Sequence, residues 1–230
     1  RDHLLSQYDG AIAYVDRQLG RLFDFLRQTG LYDNTLIVVT SDHGEAFGER
    51  NFVEHWQSLF QNEVHVPLIV RYPDQRTGKV ETGLVSHVDL MPTILDAVGI
   101  KPPEGLHGRS LVHGNTDTPR PVFSEVSRGE WLRALRPHLP PVQYSVYQDN
   151  VKLITSSLDE SSCSGETDGL YDLTRDPAES HDLCKIEAVR ADAMRQVLAR
   201  WLESTPLQVK RRPGSDLKLL ERLRGLGYIR

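Results

Sequence analysis

The feature that most constrains the fold is an unbroken apolar run from Leu36 to Val39, in which three of the four residues are β-branched. A run without polar alternation predicts a strand covered on both faces, as in a parallel sheet. A helical pattern precedes it over Tyr8 to Thr29 and stops at Gly30, with apolar positions at Ile12, Val15, Leu19, Leu22 and Leu26. A helix, a short loop and a buried strand make half of a βαβ unit, so we predict an α/β fold.

The later elements divide the chain into two parts. A second strand is predicted at Val66 to Arg71 and a helix at Ser86 to Val98, with Ser86 and Asp89 as candidate caps. After about Pro119 the pattern changes to short strands, which are predicted at Val122–Val126, in a hairpin over 144–147 and 151–154, and at Leu170–Leu173, before helices at Ile186–Glu203 and Leu217–Ile229. We therefore predict an α/β domain over residues 1–119 and a smaller α+β subdomain over residues 120–230.

Composition excludes several classes of protein. The 230 residues carry a formal charge of −5, which lacks the basic field of a nucleic-acid binder. No apolar run approaches the roughly 20 residues that span a bilayer, so we predict no membrane span in this segment. Two cysteines, Cys163 and Cys184, are too few for a disulfide-dense scaffold or a four-thiolate zinc site. A disulfide between them would indicate an exported protein, and two unpaired thiols are the equal alternative.

The residues with the clearest chemistry follow the first strand directly, in the segment Thr40 to Glu45. Ligands in open α/β sheets bind beyond the carboxyl ends of strands. Asp42 offers a hard oxygen and His43 a nitrogen suited to zinc, manganese or similar ions, so the pair predicts half of a metal site. The alternative is that Asp42 caps the following turn and His43 is only a polar residue.

A third candidate is His55, in the segment Glu54-His55-Trp56. A loop histidine near a metal stabilises an anionic substrate or protonates a leaving oxygen. A solvated surface histidine is the alternative.

Taken together, the motifs of this chain resemble those of the sulfatases, a family of the alkaline phosphatase superfamily. The resemblance runs from about Tyr8 to Ile229 and is interrupted over 112–143. Its motifs are Asp33-Asn34-Thr35, Val38 through Glu45, Phe47-Gly48-Glu49, Glu54-His55, Ser58-Leu59-Phe60, Glu63 through Val70, Val85 through Leu95, Gly108 through Leu111, Leu170 through Leu173, Asp176 through Glu179 and Leu226 through Ile229.

The resemblance implies a hydrolase that cleaves sulfuric esters with one divalent metal ion, acting on a small-molecule or glycan sulfate ester. It implies the C-terminal part of an alkaline-phosphatase-like α/β sandwich. Asp42 and His43 match two metal ligands of the family, and His55 matches a residue that contacts the sulfate or leaving oxygen. Many sulfatases have Asp-Asn at this pair and are associated with calcium. The Asp-His variant occurs in branches that use manganese or another transition ion, and in some sulfatases too. His87 and Asp89 match a region that is mainly structural.

The family's nucleophile motif does not occur among these 230 residues. The family uses a formylglycine made from Cys, or occasionally Ser, in a Cys-x-Pro-Ser-Arg context, and neither Cys163 nor Cys184 has that context. The first metal carboxylates of the family are not matched either. We therefore expect a C-terminal fragment whose formylglycine lies in a missing N-terminal part. By itself this segment is expected to be inactive and poorly stable, because its sheet would expose a hydrogen-bonding edge.

Two alternatives remain open at this level. One is a phosphonate monoester or phosphodiester hydrolase, or a phosphoglycerol transferase, of the same superfamily. The other is a non-catalytic homologue kept as a binding domain. The presence of Asp42, His43 and His55 together argues against the second alternative.

Overall fold

The computed structural model describes residues 1–55, 58–112, 114, 119–129, 133–134, 136–158 and 167–205. The predicted helix Leu217–Ile229 and Cys163 lie outside these residues. Arg1–Leu198 forms one compact unit and Ala199–Arg230 a second one. The predicted division into 1–119 and 120–230 stays a prediction.

The first helix, α1, covers Asp2–Gln28 and begins six residues before the predicted start. It ends where Gly30 was expected to stop it, because Gly30 adopts a φ of +71° that disfavours other residues. The amides of Gly30 and Leu31 donate to the carbonyls of Arg27 and Leu26, which is the Schellman pattern of helix ends. No residue of α1 is fully buried, and Ile12, Val15 and Leu22 of its apolar stripe are exposed to solvent.

The predicted buried strand is present as β1, Ile37–Thr40, but the prediction of a parallel sheet covered on both faces is wrong for the described residues. β1 pairs antiparallel with β4, Leu68–Arg71, in a two-stranded sheet. The side chains of β1 are only partly buried or exposed. Among its described residues, the connection from 41 to 67 contains one α-helix, the four-residue α2 at Gln61–Val64, and so lacks the longer crossover helix that usually joins parallel strands.

The next helix begins with a capping box formed by Ser86 and Asp89, the two residues that were candidate caps in the sequence. The Ser86 hydroxyl accepts from the backbone N–H of Asp89, and the Asp89 carboxylate accepts from the N–H of Ser86. A 3₁₀ turn at His87–Asp89 leads into α3, Leu90–Ala97. Pro92 lies in the first turn of α3, where its missing N–H costs nothing.

The α+β elements after Pro119 form a four-stranded antiparallel sheet in the order β5-β6-β7-β8. These strands are Val122–Ser127, Val142–Gln148, Val151–Thr155 and Gly169–Asp172. Asp149 and Asn150 both have positive φ, +50° and +61°, in the two-residue turn between β6 and β7. These values are typical of a type I′ hairpin, whose twist matches that of the strands. The last described helix, α4, covers Ala188–Ser204.

The hydrophobic core lies between the four-stranded sheet and the segments that follow β1. It contains Ala46, Phe52, Leu59, Phe60, Leu139, Ile154 and Tyr171. Cys184 is buried and disulfide-bonded, and the one other cysteine of the sequence is Cys163. None of the described helices combines the length and the apolar character that crossing a bilayer requires.

Candidate functional site

Asp42 and His43 follow β1 directly, and their side chains lie beside each other. One carboxylate oxygen of Asp42, Oδ1, accepts the backbone N–H of His43 at 3.1 Å. The other, Oδ2, lies 3.8 Å from Nε2 of His43. Asp42 therefore accepts the N–H of the next residue with one oxygen and presents the other beside the imidazole.

The tautomer of His43 follows from its backbone contact. Its Nδ1 is 2.8 Å from the carbonyl oxygen of Gly44, which can only accept, so Nδ1 carries a proton. The lone pair of the neutral ring is then on Nε2, the nitrogen nearer to the Asp42 carboxylate. A carbonyl at the second ring nitrogen is the usual outer contact of a metal-binding histidine.

Gly44 holds residues 42–45 against the segment Gln61–Glu63. Its N–H donates to the carbonyl of Glu63 at 2.8 Å, and the N–H of Glu45 donates to the carbonyl of Asn62 at 3.0 Å. A Cβ on Gly44 would lie 2.1 Å from the Asn62 carbonyl oxygen, which is far inside van der Waals contact. The close approach therefore requires glycine at this position.

A short hairpin brings His55 back to the same place. Strands β2, Ala46–Phe47, and β3, Val53–Glu54, pair antiparallel with Ala46 opposite Glu54. Residue 55 consequently returns beside residue 45. The His55 ring stacks on that of His43 with 4.1 Å between ring centroids, and its Nδ1 is 3.2 Å from Oε2 of Glu45.

Glu45 is a further residue of the candidate site, and its sequence motif alone predicts no role for it. Its other oxygen, Oε1, is buried without a hydrogen-bond partner among the described residues. The motif that contains Asp42 and His43 includes Glu45, but nothing in the local pattern indicates that its carboxylate reaches a histidine ten residues away. Only the return of the β2–β3 hairpin produces that contact.

A cleft of about 910 Å³ opens beside the metal candidates. Asp42 and His43 contribute to its wall, together with residues 63–68, 81–88 and 122–126. Its lining includes the carboxylates of Asp42, Glu63, Glu81 and Glu125 and, among described residues, neither lysine nor arginine. His55 is not part of this lining.

Asp89 has structural surroundings, whereas His87 contributes to the lining of the cleft. The assignment of both residues to a mainly structural region stays a prediction. His87 Nε2 lies 3.2 Å from the hydroxyl of Thr40, which itself donates to the Pro67 carbonyl. Asp89 is fully buried, and its carboxylate accepts from the N–H groups of Ser86 and Arg109 and pairs with Arg120.

The part of the chain that the structure describes contains no group of three or more His, Cys, Asp or Glu residues that would hold a metal ion. Asp42 and His43 thus offer two donors. They fit a divalent ion in the chemistry of their atoms, an exposed carboxylate and an oriented imidazole, but as an incomplete ligand set.

Comparison with known proteins identifies the family. Residues 1–100 match the sequence model of the sulfatase family. The chain is 32% identical over 170 residues to an uncharacterized sulfatase, YidJ, of Escherichia coli, which covers 74% of this chain and 32% of that protein. It is 29% identical over 220 residues to an N-acetylglucosamine-6-O-sulfatase of Bacteroides thetaiotaomicron, covering 90% of this chain and 36% of the relative. The chain thus spans about a third of the length of these relatives.

Solved structures show the same fold. One is BT4656 in complex with its substrate D-glucosamine-2-N,6-O-disulfate, with a TM-score of 0.69, 24% identity, and coverage of 88% of this chain and 41% of that one. Another is the phosphonate monoester hydrolase SpPMH of Silicibacter pomeroyi, with a TM-score of 0.65, 28% identity, and coverage of 85% and 40%. The predicted α/β fold class is confirmed by these likenesses. The chain belongs to the sulfatase family of the alkaline phosphatase superfamily.

Proposed function

We propose that this chain is part of a metal-dependent hydrolase of sulfuric esters, to which it contributes Asp42 and His43 as metal ligands and His55 as a catalytic residue. The observation that supports the proposal most is the convergence of these three side chains. Asp42 Oδ2 is 3.8 Å from His43 Nε2, and the His43 and His55 rings are stacked. Residues 42 and 55 are thirteen positions apart, so the fold and not the sequence brings them together.

The donor atoms favour one divalent cation, either calcium or manganese. Calcium prefers oxygen ligands, and an imidazole in the set favours manganese. A bound ion would supply positive charge for the oxygens of the sulfate group and for the attacking nucleophile. The formylglycine nucleophile of this chemistry is proposed to belong to a part of the protein outside these 230 residues.

The residues of this chain have separable tasks in the proposed reaction. The Gly44 carbonyl orients the His43 ring through Nδ1, and the amide of His43 fixes the Asp42 carboxylate. His55 is oriented by the Glu45 carboxylate at its Nδ1. A proton held on the His55 ring would stabilise the departing alkoxide oxygen, a role for which histidine is suited.

A sulfated glycan is the proposed substrate class. The N-acetylglucosamine-6-O-sulfatase relative, whose name states such a substrate, aligns with 90% of this chain. The disulfide at Cys184 favours an oxidising compartment, such as the periplasm or the cell exterior.

Phosphonate monoester hydrolysis is the second candidate. It is favoured by the 28% identity to SpPMH and by the Asp-His pair. Rates on an aryl sulfate and on a phosphonate monoester, measured with a protein that includes the nucleophile, would separate the two activities.

The ligand assignment is testable on the chain itself with Mn²⁺. We expect Mn²⁺ to broaden the NMR signals of the His43 and His55 rings, and we expect Asp42→Ala to abolish that broadening. The matched control is Asp24→Ala, which removes an exposed carboxylate from α1 that is paired only locally with Arg27. Equal broadening in the wild type and in Asp42→Ala would remove Asp42 from the metal site.

A further inference from the structure

A buried ion pair lies outside the site in the four-stranded sheet. Lys152 of β7 and Glu179, in the loop after β8, have side-chain exposures of 1% and 2%, and their Nζ and Oε1 atoms are 2.8 Å apart. Removing two charges from water is costly, and replacing such pairs by apolar residues is often neutral or stabilising. Stability alone is therefore a weak explanation for charge at these two positions.

Glu179 also has a backbone conformation that is costly for glutamate. Its φ is +54°, in the left-handed region that favours glycine and asparagine. Residues held in this region indicate that the surrounding structure, or a function, requires the side chain.

Both members of the pair bind Gln61, which is 91 residues from Lys152 and 118 residues from Glu179. Glu179 Oε2 accepts the backbone N–H of Gln61 at 2.6 Å. Lys152 Nζ donates to the side-chain oxygen of Gln61 at 3.1 Å. The pair thus holds the first residue of α2 by its main chain and by its side chain.

The segment that begins at Gln61 contacts the site loop, which we define as residues Asp42 to Glu45. The carbonyls of Asn62 and Glu63 accept the N–H groups of Glu45 and Gly44. Glu45 in turn contacts His55, and Gly44 contacts His43. Hydrogen bonds and short stretches of backbone therefore connect the buried pair with both histidines.

We propose that Lys152 and Glu179 are positioning residues of the Asp42–His43–His55 site. They fix Gln61–Glu63 and thereby set the backbone of Gly44 and Glu45. This proposal rests on the proposed function for the catalytic role of the site. The contacts that connect the pair with Gly44 and Glu45 do not depend on which reaction the site catalyses.

Two double variants separate positioning from general stability. Lys152→Met/Glu179→Gln removes both charges but keeps an amide oxygen that can accept the N–H of Gln61. Lys152→Met/Glu179→Leu also removes both charges and has no acceptor. Hydrogen exchange of the Gly44 and Glu45 amides is measured in each, with the amides of the central strand β6 as the internal reference.

We expect the Leu-containing variant to exchange Gly44 and Glu45 about tenfold faster than the wild type, the effect of losing one buried hydrogen bond. The β6 amides should not change, and the Gln-containing variant should behave as the wild type. Equal protection of Gly44 and Glu45 in both variants would overturn the proposal. A uniform acceleration that includes β6 would also overturn it, since that is the result of a merely structural role. Failure of Mn²⁺ binding would count against the proposed function alone, because no metal takes part in the exchange measurement.

Discussion

At the scale of single residues, Gly44 shows how little space the site loop has. The segment from Asp42 to Glu45 lies so close to Asn62 that even one methyl group would collide with a backbone carbonyl at 2.1 Å. We expect Gly44→Ala to separate the two segments and to cost more than about 2 kcal/mol of unfolding free energy, because the added methyl group would collide with the backbone and two backbone hydrogen bonds would be strained or lost. Urea denaturation measures the cost.

Gly20→Ala is the matched control for that substitution. Gly20 lies in the interior of α1, and a Cβ there meets nothing within 4 Å. Alanine has the higher helix propensity, so this variant should gain up to about 1 kcal/mol. Similar losses of stability in the two variants would contradict the explanation from close approach.

At the scale of elements, the start of α3 depends on one buried carboxylate. Asp89 accepts backbone N–H groups with each of its oxygens, from Ser86 and from Arg109. An asparagine would present an NH₂ group to one of these donors and would leave Arg120 without its counterion. We expect Asp89→Asn to cost about 3 kcal/mol, measured by urea denaturation.

The control for this change is a surface aspartate. Asp24→Asn neutralises the exposed pair with Arg27 on α1, which is expected to contribute less than about 0.5 kcal/mol. If Asp89→Asn lowers the unfolding free energy no more than Asp24→Asn does, the Asp89 carboxylate does not stabilise the start of α3.

At the scale of the whole molecule, the buried pair predicts how stability depends on pH. Burial lowers the pKa of Lys152 from 10.5 to about 8, although the adjacent Glu179 opposes the change. Below pH 8 the lysine is protonated in both states, and the cost of burying its charge counts fully against the folded state. Between pH 8 and 10.5 the unfolded chain binds a proton that the folded chain does not, so this residue makes stability rise with pH. The difference between these two pKa values corresponds to at most about 3 kcal/mol of unfolding free energy.

Tyrosine ionisation has the opposite sign and starts at higher pH. Burial raises the pKa of Tyr171 to about 12, so its contribution to stability is present below pH 10 and is lost above that value. The measurement is therefore the unfolding free energy between about pH 7 and pH 9.5, relative to Lys152→Met/Glu179→Gln. We expect the unfolding free energy of the wild type to increase relative to that of the double variant as the pH rises. Parallel curves for the two proteins would contradict the lowered pKa of Lys152.

Local signals in the sequence were sufficient for several elements. The stop at Gly30 and the capping box at Ser86 are fixed by residues within one turn of each other. The Asp149-Asn150 turn likewise needs only residues that accept positive φ. In contrast, the apolar run of β1 predicts a strand but not whether its partner runs parallel or antiparallel to it, because the partner strand lies 28 residues further on.

The sequence by itself determined the family, most of the helices and strands, and the proximity of Asp42 to His43, since these two are adjacent in the chain. It did not predict β2, β3 or α2. The tertiary structure alone decided that His55 stacks on His43, because this contact depends on the return of the β2–β3 hairpin. It also decided that Lys152 and Glu179 support the site loop through Gln61. Contacts between residues so far apart result from chain folding, and no local propensity or periodicity encodes them.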